Sequence, residues 1–266
     1  MRKGQANLGP SISSGNTPEI EATQWQTRID LAAAHRLAVM HGLNEGIFNH
    51  FTTRVPGHSD LYYQMPFGLH WSEVTASCFM EVGYDGTLHV GDGVIEPSCY
   101  CIHAPIHKLV PHADTVLHSH MPFTSALARL DDQSFLPIGG TELRMMTRTA
   151  YDNGYHSTAF SADEGVRLAN LIGDKEILVM ANHGVSIVAA SVAKAYDLLY
   201  YAERAAQVQL YAIWTGRPLK VMPEQVIQRS SAEYGKGDIY GGRKSYDWHF
   251  DALKRILDKR EPDYKT

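Results

Sequence analysis

A layered α/β fold, of the α+β kind, is what this chain predicts, on three observations. Segments with helical spacing alternate with short runs of β-formers. Tyr84-Asp85-Gly86 is a hairpin signal between two of those runs. The 266 residues, 44% of them hydrophobic, suffice for one large core, and no Pro/Gly/Ser-rich linker interrupts the middle. Residues 1–22 read as a flexible arm, polar and rich in Gly, Ser, Asn and Pro. Residues 23–266 read as a single domain with a C-terminal helical tail.

The elements follow in order. Thr23 to Met40 has apolar residues near helical spacing and stops at His41-Gly42. Phe51 to Val55 and Leu61 to Met65 are short strands closed by Pro56-Gly57 and Pro66-Phe67-Gly68. Phe79 to Val82 and Thr87 to Val90 flank the hairpin turn. Tyr100 to Leu109 is helical and ends before Pro111. A strand then runs from Asp114 into His118-Ser119-His120. A helix starts near Pro122 and passes through Ala126 to Leu130. Ser161 to Leu171 opens with Ser-x-x-Glu, which suits a capping box of Ser161 and Glu164. Ile177 to Met180 and Val185 to Val188 are strands around a turn at His183. Val192 to Trp214 is a long amphipathic helix ending at Gly216. A polar, aromatic-rich tail follows.

Composition excludes several classes of function. The net charge of −5 is mild, and no Lys/Arg run exceeds two residues, so no nucleic-acid partner is expected. No apolar stretch approaches the roughly 20 residues that span a bilayer, so no membrane partner is expected either. The N-terminus lacks the apolar core of a secretory signal. Cys78, Cys99 and Cys101 are odd in number, without spacing that suggests a disulfide framework. Together these predict a reducing, cytoplasmic location.

The chemistry concentrates at the His-x-His strand. Side chains two apart on a strand share a face, so His118 and His120 would present two imidazoles side by side. Asn182-His183-Gly184 also follows an apolar strand-like run, and His183 is the candidate third ligand. Three neutral imidazoles with open coordination positions describe a catalytic rather than a structural metal site.

Three separate motifs carry a resemblance. Asn44-Glu45-Gly46-Ile47-Phe48-Asn49-His50-Phe51-Thr52-Thr53-Arg54 resembles the Asn-centred loop of the class II aldolase/adducin family. Cys101-Ile102-His103-Ala104-Pro105-Ile106-His107, with the His-x-His strand after it, is similar to that family's helix and metal strand. Asn182-His183-Gly184 is similar to its third ligand. The resemblance runs from about Ile29 to Pro218. It implies a central mixed, mainly antiparallel sheet with helices on both sides, and a homotetramer with the site near a subunit boundary.

The sequence departs from the aldolase pattern at one informative place. The sugar-phosphate aldolases carry an acid/base glutamate on the segment before the motif helix, and Cys99 stands there instead. A thiol can transfer protons, though its ordinary pKa is about 8.5. Glu96, three residues away, is a candidate replacement. His103 and His107 lie four apart on one helix face, where they could line the pocket or hydrogen-bond the residues that do. Phe67 and Pro97 stand where phosphate-binding hydroxyls are common, and only Asn49 and Ser98 match. A phosphorylated substrate is therefore disfavoured. Asn49, Arg54, Phe67, Ser98 and His107 are the candidate substrate contacts. Glu96, Cys99 and His103 are the candidate catalytic groups.

The resemblance to glutamate-lacking, oxygenase-like relatives implies Fe(II)/O2-dependent oxidative decarboxylation of a small α-hydroxy, α-keto or α-amino carboxylic acid. One alternative is a zinc- or manganese-dependent lyase or dehydratase acting on a hydroxy-carbonyl compound. Another is a non-catalytic, adducin-like assembly module, for which an open three-histidine site would have no use.

Overall fold

The computed structural model describes residues 17–154, 161–234 and 239–266. Helix α1 (Pro18–Met40) starts ahead of the expected Thr23, because Thr17 caps it and Pro18 fits its first turn. The expected arm is shortened accordingly, and its residues 1–16 lie outside the described residues. Strands β1 (His50–Arg54), β2 (Leu61–Gln64), β3 (Met80–Gly83) and β4 (Leu88–Val90) follow. Next come α2 (Pro97–Leu109), β5 (Thr115–Ser119) and a short α3 (Pro122–Leu127). A short helix α4 (Gly140–Met146) and a strand β6 (Thr149–Asp152) were not legible in the sequence. The order continues with α5 (Ala162–Ile172), β7 (Ile177–Met180), β8 (Val185–Ala189) and α6 (Val192–Trp214). The tail folds as α7 (Glu224–Tyr234), a small hairpin of β9 (Ile239–Tyr240) and β10 (Arg243–Lys244), and α8 (Ser245–Arg260). Ser161 caps α5 through the Asp163 N–H, while the Glu164 carboxylate holds Arg167.

Eight strands form one sheet in the order β4-β3-β2-β1-β5-β8-β7-β6. Every pairing in it is antiparallel except β6 with β7. Helices cover both faces, and the two-residue period of each strand sorts its side chains between them. Val116, Leu178, Met180 and Val188 pack with Ile102 and Ile106 of α2 and with Leu168 and Ile172 of α5. Their alternate neighbours Leu117, Val179, Val185 and Ile187 join Leu31 and Leu37 of α1 and Leu198 and Leu199 of α6. By this alternation His50, Thr52 and His118 fall on the α2 face, and His50 stands opposite His118 in the β1/β5 register. Burying two apolar layers on a central sheet removes each inward Leu, Ile or Val from water, worth about 1.5–3 kcal/mol per side chain. That is what holds the end of the central strand β5, at His118, in place.

Among the described residues no helix is long and apolar enough to cross a membrane. Cys78, Cys99 and Cys101 are all free.

Candidate metal centre

His118 is on β5, His120 lies just beyond its end, and His183 sits in the β7–β8 turn. Their rings converge, with centroids 4.9, 5.0 and 4.7 Å apart for the pairs 118–120, 118–183 and 120–183. One nitrogen from each falls within 4.8 Å of the others. Imidazole nitrogens bound at about 2.1 Å to a single ion sit roughly 3 Å apart, so small side-chain adjustments close the set.

The outer edges of two rings are fixed. His118 Nδ1 lies 3.0 Å from the Val185 carbonyl oxygen, and His120 Nδ1 lies 2.5 Å from Glu45 Oε2. A carbonyl only accepts, so His118 Nδ1 must carry the proton, and the carboxylate places a proton on His120 Nδ1 in the same way. When the rings are neutral both Nε2 atoms are bare, and they face each other at 3.1 Å. Two lone pairs at that distance repel unless a cation sits between them. The donor set therefore fits a divalent metal on its own chemistry, with outer partners of the kind that orient metal-bound histidines. Burial holds the His118 imidazole well below its ordinary value. Burial first, then the His120 and Arg129 charges, brings His183 to about 4. Both rings are thus neutral, as ligands must be.

Local backbone geometry serves the site. Asn49 and Asn182, each immediately before a site histidine, are the non-glycine residues with positive φ among those described, at 72° and 56°. Asn is among the few side chains that tolerate this region. Asn49 Oδ1 accepts the His120 backbone N–H at 3.2 Å, tying the β1 entry to the metal strand. Gly184 is a close approach: a Cβ there would stand 2.6 Å from Ser119 O and 2.8 Å from His120 Cδ2.

A cleft of about 400 Å³ opens beside the three histidines. Its walls include Phe48, Asn49, His50, Glu96, Ser98 and Arg129, with Ile102, Leu168 and Met180 supplying apolar surface. Of the candidate residues, Asn49, Ser98 and Glu96 line it. Asn49 Nδ2 is buried without a partner, so it can donate to a ligand. Glu96 caps α2, accepting the Cys99 N–H at 2.5 Å and the Ser98 hydroxyl at 2.7 Å. Those bonds make it a helix cap first, although its carboxylate still stands 3.8 Å from His50 Nε2.

Five of the candidate residues lie outside the cleft lining. Cys99 is fully buried beneath the cleft, not beside it, and burial followed by the Glu96 charge pushes its thiol well up, away from proton exchange. His103 and His107 do share a face of α2, but it is turned onto β1, where both bond to Thr52 and neither reaches the cleft wall. Arg54 pairs with Asp114 at 2.9 Å and donates to the His107 carbonyl, outside the cleft lining. Phe67 does not line the cleft either, and its ring lies 6.3 Å from that of Phe48, which does.

Sequence reading assigned no role to His50, Glu45 or Arg129. The signal for His50 was present: extending the Phe51–Val55 strand by one residue puts His50 and Thr52 on the His118 face. Nothing local marks Arg129, which reaches the cleft from beyond α3 and donates to the Ser125 and His183 carbonyls.

Comparison with known proteins agrees with this architecture. Residues 29–210 match the family described as Class II Aldolase and Adducin N-terminal domain. An adducin-related protein of Schizosaccharomyces pombe is 31% identical over 252 residues, covering 90% of this chain and 76% of that protein. An aldolase II superfamily protein from Pseudomonas syringae superposes with a TM-score of 0.86 at 31% identity, covering 97% of this chain and 100% of the other. The L-fuculose 1-phosphate aldolase of Glaciozyma antarctica superposes at 0.79 with 20% identity, over 94% of this chain and 96% of that one, a likeness of fold alone. The chain belongs to the class II aldolase and adducin N-terminal domain family.

Proposed function

We propose that the protein is a mononuclear metal enzyme that uses iron(II) and O2 to decarboxylate a small α-substituted carboxylic acid oxidatively. The observation that carries this reading is the donor set. Among the described residues His118, His120 and His183 form it without a protein carboxylate, since Glu45 stands behind His120 and Glu96 caps α2. When bound, iron(II) supplies redox chemistry and open coordination positions for a chelating acid and O2.

The chain's own residues do the rest. The cleft lining carries the Glu45, Glu96, Asp152 and Glu164 carboxylates as well as Arg129. Arg167 pairs with Asp152 and Glu164, Glu45 holds His120 and Glu96 caps α2, so the Arg129 charge is the one that suits a substrate carboxylate. The buried Asn49 Nδ2 offers a donor to a second substrate oxygen. Ile102, Leu168 and Met180 keep one wall dry, which strengthens both interactions. An α-hydroxy acid and O2 balance to the one-carbon-shorter carboxylic acid, CO2 and water. All four electrons that reduce O2 then come from the substrate.

A zinc- or manganese-dependent lyase is the second reading, and Glu96 favours it. Its carboxylate lines the cleft beside His50, where an acid/base group could exchange a proton with a hydroxy-carbonyl substrate. Anaerobic reconstitution with iron(II), zinc or manganese separates the two. Iron(II)-loaded protein should consume O2 and release CO2 from a small carboxylic acid. Cleavage or dehydration by zinc-loaded protein at full rate without O2 would replace the oxygenase with the lyase. Failure to bind any divalent metal would leave the assembly module.

A further inference from the structure

Beneath the cleft a line of hydrogen bonds runs through the protein and ends at a backbone carbonyl. His107 Nδ1 lies 2.8 Å from Ala113 O, and His107 Nε2 lies 2.8 Å from Thr52 Oγ1. Thr52 Oγ1 lies 2.7 Å from His103 Nδ1, and His103 Nε2 lies 2.9 Å from His50 Nδ1. Thr52, His103 and His107 are fully buried and His50 is nearly so.

The direction of every bond follows from its end. The Ala113 carbonyl can only accept, so His107 carries its proton on Nδ1. The neutral ring's Nε2 is then bare and takes the Thr52 hydroxyl proton. With its own proton committed, Thr52 Oγ1 accepts from His103 Nδ1–H. His103 Nε2 is therefore bare and accepts from His50 Nδ1–H. His50 Nε2 is left bare, on the cleft side of the ring. Ser98 does not cap it, because that hydroxyl gives its single proton to Glu96 at 2.7 Å and stands 3.5 Å from His50 Nε2. Burial keeps this chain neutral, bringing His107 to about 3 and His103 well below its ordinary value.

We infer that the line from Ala113 through His107, Thr52 and His103 sets the tautomer of His50, so that a bare Nε2 faces the cleft beside the metal centre and selects a substrate that offers a hydrogen-bond donor there. The hydroxyl of an α-hydroxy acid provides one, and the carbonyl of the matching α-keto acid does not. This deepens the proposed function and rests on it for the class of ligand. It also agrees with the electron balance, since a hydroxy acid supplies all four electrons for O2 while a keto acid supplies two. His50 is the contact residue. His103, Thr52 and His107 are positioning residues that act through it.

The same atoms admit a rival. His50, Cys99 and His103 place one donor atom each within 4.8 Å of one another, which could hold a second ion. The hydrogen-bond account leaves no lone pair on His103 for that ion, because both ring nitrogens are in use.

Neutron diffraction from zinc-loaded crystals exchanged into D2O tests the inference directly. Deuterons should appear on Nδ1 of His50, His103 and His107, and none on His50 Nε2. A deuteron on His50 Nε2 overturns the proposal. So does a second zinc bound by Cys99, which a second equivalent of metal lost in Cys99→Ser would reveal in solution. Binding supplies the other arm, with lactate and pyruvate as probes of zinc-loaded protein. Wild type should prefer lactate by about tenfold, the worth of one hydrogen bond to an otherwise unpaired acceptor. The preference should vanish in His50→Phe and in Thr52→Val, and persist in Thr52→Ser, which restores the hydroxyl. Equal preference in wild type and Thr52→Val overturns the selecting role. If neither acid binds, the carboxylic-acid reading fails, and the neutron map still decides the tautomer.

Discussion

The Glu45 carboxylate holds His120 by Nδ1 at 2.5 Å, on the edge of the ring opposite the one that faces His118. A carboxylate there fixes the ring's tautomer and raises the basicity of Nε2. Glu45→Ala should therefore weaken metal binding by about 10- to 100-fold with the fold intact. Chelator competition followed by metal analysis measures it. Unchanged affinity would mean that Glu45 is only a surface partner of His120.

Gly184→Ala should damage the centre from the other side. Its methyl group would press on Ser119 O at the end of β5 and on Cδ2 of the ligand His120 just beyond it. The expected cost is about 1–3 kcal/mol of stability. Metal content should fall with it, because the displaced turn carries His183. Thermal unfolding with and without zinc reads both effects. A variant with wild-type stability and stoichiometry would show that the turn can move freely.

Acid should destabilise the metal-free protein through its buried histidines. His35 packs against Phe51, Trp71 and Phe79, and burial brings its imidazole from 6.5 to about 4 against the opposing pull of the Leu31 carbonyl. Between those values the unfolded chain holds a proton that the folded one lacks. Stability is therefore fully present above about pH 6.5, declines as pH falls toward 4, and stops declining on this account below that. His107, brought to about 3, extends the window downward. Urea midpoints should drop steadily from pH 7 to 4, and His35→Leu should remove up to about 3 kcal/mol of that drop. Midpoints independent of pH would contradict the burial argument.

We expect a homo-oligomer, a tetramer. Val208, Tyr211 and Trp214 are 51%, 48% and 66% exposed on α6, at spacings that put them on one stripe. Light scattering at micromolar concentration should report four copies, and Tyr211→Lys with Trp214→Glu should lower that number. A monomer in the wild type would remove the expectation.

The parts of this protein that could be read from sequence are those whose cause is local. The His-x-His pair followed from strand parity alone, and the α6 boundary at Trp214 from helical spacing. The short β6 escaped notice because Thr149–Asp152 is held by its parallel partner β7 rather than by an alternating pattern of its own. Cys99 lies off the cleft because helix phase decides which residue of α2's first turn meets it, and Ser98 does. His103 and His107 were correctly put on one face. Which way that face turned depended on Thr52, about fifty residues earlier in the chain.

Strand β1 is five residues long, yet its two sides are different solvents. Phe51 points into an aromatic layer with His35 and Trp71, which is closely packed and holds its one imidazole neutral. His50 and Thr52 point into a proton-ordered lattice, where the position of a single hydrogen decides what the cleft accepts. Ligand preference could therefore be rewritten at residues 50, 52, 103 and 107 without touching the aromatic layer on the other side of the strand. The two properties share a backbone but not a side chain.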